Sequence, residues 1–234
     1  MAKTLPRLLT TVLKFVSKDT THQSICGIMF DRARGVILAT DSFKAIFVKC
    51  DDPFHYAEIL AEAKGLPKPS MEVASGYFRT MHQDEKTGKW TPDANTYNDG
   101  LPDCVVITNL GKKDGGWKYF PYPYPSIFNT IPFGMHSDLD EVTAYYDGEL
   151  MGNAIKAFET FTGVPVTLHT SKNRIDGPLI HYAKQGALEA ALVIMPKQYD
   201  IGNPEIGEKW VKVAPCKAPE NSLVKTWTDM AKNF

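Results

Sequence analysis

The residues with the chemistry for catalysis are few and scattered in this sequence. His82, Asp84 and Glu85 sit within one short stretch, and an imidazole beside two carboxylates can hold a divalent metal and activate water for hydrolysis. Asp138, Asp140 and Glu141 form a second acidic set, SDLDE, able to attract a cation, although a solvated acidic turn has the same composition. No two of the 6 histidines (His22, His55, His82, His136, His169, His181) lie four residues apart, the spacing that sets two imidazoles on one helix face. Cys26, Cys50, Cys104 and Cys216 are far apart and form no Cys-x-x-Cys pair, which suits free thiols of a reducing compartment better than a zinc site. The run GKKDGG at 111–116 has phosphate-cradle composition but lacks the strand-loop-helix layout of a nucleotide loop, and it reads as a hairpin tip. No Gly-x-Ser-x-Gly elbow occurs. The expectation is therefore a non-enzyme with no catalytic residue, no metal and no cofactor. A hydrolase or nuclease using His82, Asp84 and Glu85 is the competing reading.

Composition points to a soluble globular protein rather than a bulk-charge binder. The chain has 234 residues, of which 43% are hydrophobic and 23% charged, with a formal net charge of −1. That length buries a core without disulfide staples. A nucleic-acid reader of this size is more often basic overall, so any contact with phosphates must come from a local patch. No run approaches the ~18 apolar residues of a membrane span. The opening MAKTLPRLL lacks the apolar centre of a secretory signal, so a cytoplasmic location is expected.

The elements that would position any site fall into two similar units. In the first, Leu5, Leu8, Leu9, Val12, Leu13 and Val16 recur at helical spacing and predict a helix over 4–18, with Thr4 as cap and Pro6 in the first turn. Arg7, Lys14 and Lys18 lie off that apolar stripe, on a face suited either to solvent or to phosphates. Strands are predicted over 24–31, 35–39 and 42–50. In the second unit, a short strand ends at Tyr145 and Tyr146 and Asp147 caps a helix. Leu150, Met151, Ala154, Phe158 and Phe161 give that helix one apolar stripe, and Gly163 and Pro165 end it. Strands follow over 164–170, 178–182 and 190–195.

Between the units, residues 51–102 read as an inserted arm: a helix over 55–64, the breaker GLPKPS, a strand within 71–82 and a polar, turn-rich loop. Residues 103–122 return to strand character around GKKDGG, and Pro121, Pro123 and Pro125 make a stiff connector. Residues 1–197 are thus expected to form one domain with the 51–102 insertion, and 198–234 a C-terminal extension. Leu223, Trp227 and Met230 suggest a helical face in that extension.

Three segments together resemble the bacterial DNA polymerase sliding clamp, the β subunit. ILATDSFKAIFV at 37–48 is similar to the clamp's threonine-aspartate-glycine signature strand, matching at Thr40, Asp41, Lys44 and Ala45 and departing at Ser42 and Phe43. YPSIFNTIP at 124–132 resembles the clamp's linker motif. ALVIMPKQ at 191–198 resembles its C-terminal strand, which closes on methionine-proline, here Met195 and Pro196. The resemblance covers about residues 5–50 and 103–197.

It implies an α/β (α+β), DNA-clamp-like fold, with two helices packed on curved sheets from two β-α-β-β-β halves. It implies a replication accessory or processivity protein that associates with double-stranded DNA without reading sequence. Such a protein docks peptides of DNA polymerase or other replication proteins. The partner-peptide pocket it implies comprises Thr40, Asp41, Phe43, Lys44, Ala45, Pro125, Met195 and Pro196. The DNA-binding residues it implies are Arg7, Lys14, Lys18 and Lys156, meeting phosphates from the helices. The family carries more domains per chain than this chain offers, so a ring here requires a larger homo-oligomer. Lys156 also shares its helix with Glu149 and Glu159. The alternative is a clamp-fold adaptor that binds a protein partner and does not encircle DNA.

Overall fold

The computed structural model describes residues 5–70, 81–83, 90–92, 104–111, 115–120, 124, 144–170, 178–195 and 210–213. Its strands are β1 (Gly27–Asp31), β2 (Val36–Thr40), β3 (Lys44–Lys49), β4 (Met81–Gln83), β5 (Trp90–Pro92), β6 (Cys104–Asn109), β7 (Trp117–Tyr119), β8 (Ala144–Asp147), β9 (His169–Thr170), β10 (Leu179–Gln185), β11 (Leu188–Ile194) and β12 (Trp210–Val213). Its α-helices are α1 (Arg7–Val12), α2 (Pro53–Lys64) and α3 (Gly148–Thr162). The fold is mixed α/β.

Eight strands make one antiparallel sheet in the order β7-β6-β1-β2-β3-β11-β10-β9. The two predicted units meet at its centre, where β3 runs antiparallel to β11 with Ala45 opposite Val193 and Phe47 opposite Ala191. At one end of this seam Lys49 faces Glu189, joined by an ion pair of 3.3 Å. Strands β1 and β2 are buried on both faces, which is why GVILA reads as a continuous apolar run rather than an alternation.

Side chains of odd and even positions sort to opposite faces of the sheet. One face carries Ile28, Phe30, Ile37, Ala39, Ile46, Val48 and Leu192, and packs against Leu9 and Val12 of α1, Phe54 and Leu60 of α2, and Ala154, Phe158 and Phe161 of α3. Helices α1 and α3 touch each other on that face. The other face carries Met29, Leu38, Ala45, Phe47, Val106, Ala191 and Val193, which form a second buried cluster with Phe120 and Tyr124.

Helix α3 follows its sequence signals closely. Asp147 Oδ1 accepts the N–H groups of Glu149 and Leu150, both at 3.0 Å, and Gly163 closes the helix at φ 72, a left-handed torsion that costs glycine little.

The first helix departs from its prediction. The α-helix runs only Arg7–Val12, with Pro6 in the N-cap position and no side-chain cap; the predicted cap Thr4 lies outside the described residues. A 3₁₀ turn, Leu13–Phe15, follows, and Val16 leaves it extended at ψ 138. The change of pitch has a physical cause. Three residues per turn puts Phe15 directly above Val12, and Phe15 is fully buried although it lay off the predicted stripe.

Three other boundaries move. Residues 20–25 form a second 3₁₀ segment, capped by Asp19, rather than the start of a strand. Only His169–Thr170 of the predicted strand 164–170 pairs with the sheet, and the Val166 N–H goes instead to Glu159 Oε1 at 2.9 Å. Helix α2 begins two residues early, because Asp52 Oδ1 caps the His55 N–H at 3.1 Å and Pro53 occupies the first turn. The first unit shows α1-β1-β2-β3, and no strand precedes α1 among the described residues. Within the C-terminal segment, β12 pairs with β8, while the predicted helical face at Leu223, Trp227 and Met230 lies outside the described residues.

Candidate functional site

The site is built around the turn between β2 and β3. Thr40 Oγ1 donates to the Lys44 carbonyl at 2.9 Å and accepts the Ser42 N–H at 3.1 Å. Asp41 Oδ1 accepts the N–H groups of Phe43 at 3.0 Å and Lys44 at 2.9 Å, and its other oxygen is ion-paired to Lys44 Nζ. These local bonds hold Ser42 at φ 77, a torsion that a residue with a Cβ adopts at a cost, at the position where the clamp signature carries glycine. Phe43 is pushed outward and stands 43% exposed, the only large apolar side chain so exposed among the described residues.

Two further contacts lock the turn to the sheet. The Met195 N–H donates to the Phe43 carbonyl at 2.7 Å, so the end of β11 reaches the β2–β3 turn. From the opposite side, Tyr124 places its hydroxyl between β1 and β2, accepting the Thr40 N–H at 3.0 Å and lying 3.4 Å from the Gly27 carbonyl. The register Met29↔Leu38 would bring Gly27 opposite Thr40, and the tyrosine oxygen bridges that gap. Burial pushes the Tyr124 hydroxyl's pKa well above its ordinary value, so it remains a neutral donor and acceptor. Gly27 tolerates no side chain here, because a Cβ would stand 2.4 Å from the Ile107 carbonyl oxygen.

Beside the turn lies a groove of about 800 Å³. One wall is the stretch from Lys14 to Asp19 with His22 and Ile25, the second is the tip Asp41–Lys44, and the third is the face of α3 bearing Leu150, Ala154, Lys156 and Ala157. Phe15 and Ile25 are buried beneath it, and Lys44 Nζ stands 5.9 Å from the Phe15 ring centroid, a cation over an aromatic face. Lys14, Lys18 and Lys156 are all exposed at its margin. Asp19 Oδ1 is committed to the Thr21 hydroxyl at 2.7 Å and the Thr21 N–H at 3.0 Å, and these bonds hold its carboxyl below the usual carboxylate range.

The structure therefore gathers residues that the sequence assigned to two functions. Asp41, Phe43 and Lys44, expected in a peptide pocket, and Lys14, Lys18 and Lys156, expected on a DNA surface, line one groove. Thr40 is buried and acts by shaping the turn. Ala45 is buried in the cluster on the opposite face of the sheet, and half-buried Met195 packs against that same cluster. Arg7 is exposed on α1 and is not part of the groove wall. Pro125 and Pro196 lie outside the described residues.

Sequence reasoning missed Phe15, Ile25 and Asn153 in the groove, and it missed the role of the Tyr124 hydroxyl, although the tyrosine opens the linker-like motif. Gly152 on α3 is exposed, with nothing within 4 Å of a Cβ placed on it, so it marks no close approach of a neighbouring element. Of the candidate metal sets, Asp84, Glu85 and Asp138, Asp140 and Glu141 lie outside the described residues. Among the described residues no group of three or more His, Cys, Asp or Glu is placed to hold a metal ion, and no helix is long and apolar enough to cross a membrane.

The sequence matches no protein-family model and no curated protein.

Proposed function

We propose that this chain is a DNA-replication accessory protein of the sliding-clamp type, which works by docking a short segment of a partner such as a DNA polymerase. The observation that carries this reading is the groove beneath Phe43. A turn strained at Ser42 presents a large apolar side chain to solvent beside a cleft floored by Phe15, Ile25, Ala154 and Ala157. A protein that needed this turn only as a connector would gain stability by burying Phe43. What supports a clamp-type reading of the fold is the contact of α1 with α3 on one face of a sheet whose two halves join through β3 and β11. Association with double-stranded DNA through Arg7, Lys14, Lys18 and Lys156 belongs to this reading, as does a homo-oligomer large enough to enclose a duplex.

One observation favours the second reading, an adaptor that does not encircle DNA. Lys14, Lys18 and Lys156 belong to the walls of the docking groove, leaving Arg7 alone of the four cations outside it. Light scattering with and without a short duplex, combined with a salt titration of a fluorescent duplex, separates the two. The encircling reading predicts a ring-sized assembly and an affinity that falls steeply with salt, as counterion release requires. A monomer that ignores the duplex at low salt leaves the adaptor.

A further inference from the structure

Resting on the docking reading above, we infer that the occupant of this groove is an acidic peptide: one large apolar side chain seated beneath Phe43, with carboxylates on the flanking residues. Charge and its internal pairing carry the inference. Four lysines and two aspartates stand round the groove (Lys14, Lys18, Lys44, Lys156, Asp19, Asp41). Asp41 is neutralised by Lys44 and saturated by two N–H groups of its own turn. Asp19 is occupied in capping the 3₁₀ segment through Thr21. Lys14, Lys18 and Lys156 have no carboxylate partner among the described residues. Three unpaired ammonium groups therefore rim a cleft whose floor is apolar.

That combination matches a peptide better than a nucleic acid. A duplex offers phosphates but nothing apolar for the floor, and its rigid rod does not enter a cleft of about 800 Å³, a volume in the range of sites that enclose a small ligand. A single strand could stack one base on Phe43, but successive stacking platforms are the usual means of holding such a strand, and Phe43 is the only exposed large apolar side chain among the described residues. A peptide supplies both parts at once. Its apolar anchor enters over Ala154 and Ala157, whose small side chains leave room, and its carboxylates reach the rim, where they set approach rate and specificity.

The test is selection from a randomised dodecapeptide display library. The full chain is the bait, in parallel with the triple variant Lys14→Glu, Lys18→Glu, Lys156→Glu and with Phe43→Ser. All four positions are exposed, and thermal melting checks that each variant folds. The wild type is expected to enrich peptides with one or two large apolar residues among several Asp or Glu. The best of them, resynthesised with a fluorophore, is expected to bind about tenfold or more weaker to the charge-reversed variant and to Phe43→Ser. Enrichment of apolar peptides that need Phe43 but show no acidic preference overturns the inference and leaves the docking reading standing. Absence of any binder that depends on Phe43 removes both. Retention of a fluorescent oligothymidylate or duplex, with no peptide enriched, overturns the inference in favour of nucleic acid.

Discussion

Strand β3 and the turn that leads into it do two different things, and the contrast separates what holds this protein together from what it presents to solvent. From Ala45 to Val48 every residue is buried, paired on one side with β2 and on the other with β11. In the turn that precedes it, the chain passes through a strained Ser42, exposes Phe43 and keeps its polar groups satisfied by short local bonds. The seam is stabilised by area removed from water. The tip is held by geometry that opposes burial, which is what the proposed docking role requires.

Substitutions in the two regions should therefore differ in size, in sign and in what they affect. The largest effect is expected at the seam. Phe47→Ala leaves a cavity in the far-face cluster and should cost about 3–5 kcal/mol in a denaturant titration; a cost near that of a surface change would mean the two units are not joined there.

Next comes the bridge between sheet and tip. Tyr124→Phe strips a hydroxyl from between the Thr40 N–H and the Gly27 carbonyl in a buried position, and should cost about 1–3 kcal/mol. The accompanying loss of amide exchange protection should be confined to Thr40 and its neighbours; global loss with no local component would argue against a clasp.

At the tip the sign reverses. Ser42→Gly relieves the left-handed torsion and should stabilise the fold by about 1 kcal/mol, while Phe43 becomes less rigidly presented. If it destabilises, the strain is not there.

The smallest effect belongs to the end of the seam remote from the tip. Glu189 is held below its ordinary pKa of 4.5, first by the Lys184 hydrogen bond and then by Lys49. A depressed carboxylate stabilises the native state above its unfolded pKa and loses that contribution as pH falls through the folded one. Glu189→Gln should thus destabilise the fold slightly near neutrality, by less than about 1 kcal/mol, and the difference from wild type in thermal melts should close as pH falls below about 4.5. A difference that persists at low pH would assign the effect to packing.

How much of this was legible beforehand follows the range of the interactions involved. Helix α3 could be read because its signals are local: the Asp147 cap, the stripe through Phe158 and Phe161, and the Gly163 stop. The first helix could be located but not ended, because its switch to a 3₁₀ turn depends on burying Phe15 under a neighbouring strand. The segment 164–168 has strand composition, yet Glu159 takes the Val166 N–H, a competition invisible to a period-2 pattern. The pairing of β3 with β11 joins residues far apart in sequence and leaves no local trace.

The candidate site was half legible for the same reason. Asp41, Phe43 and Lys44 are neighbours in the chain, and their turn chemistry is written in Thr40 and Asp41. That Lys156 would meet Lys14 and Lys18 across the same groove is a product of docking α3 against α1. The resemblance, which assigned the turn and the lysines to separate roles, therefore divided one groove into two sites.

The gathering of those lysines about Phe43 is the point on which the functional account turns, and it is open to direct measurement without any ligand. Treatment of the folded chain with a short amine-reactive cross-linker, followed by mass spectrometry, should link Lys156 to Lys14 or Lys18. Lys49 and Lys184, which share Glu189, serve as the internal control. Links at both places are predicted. A strong Lys49–Lys184 link with none from Lys156 to Lys14 or Lys18 would contradict the single groove, and with it the docking function assigned to it.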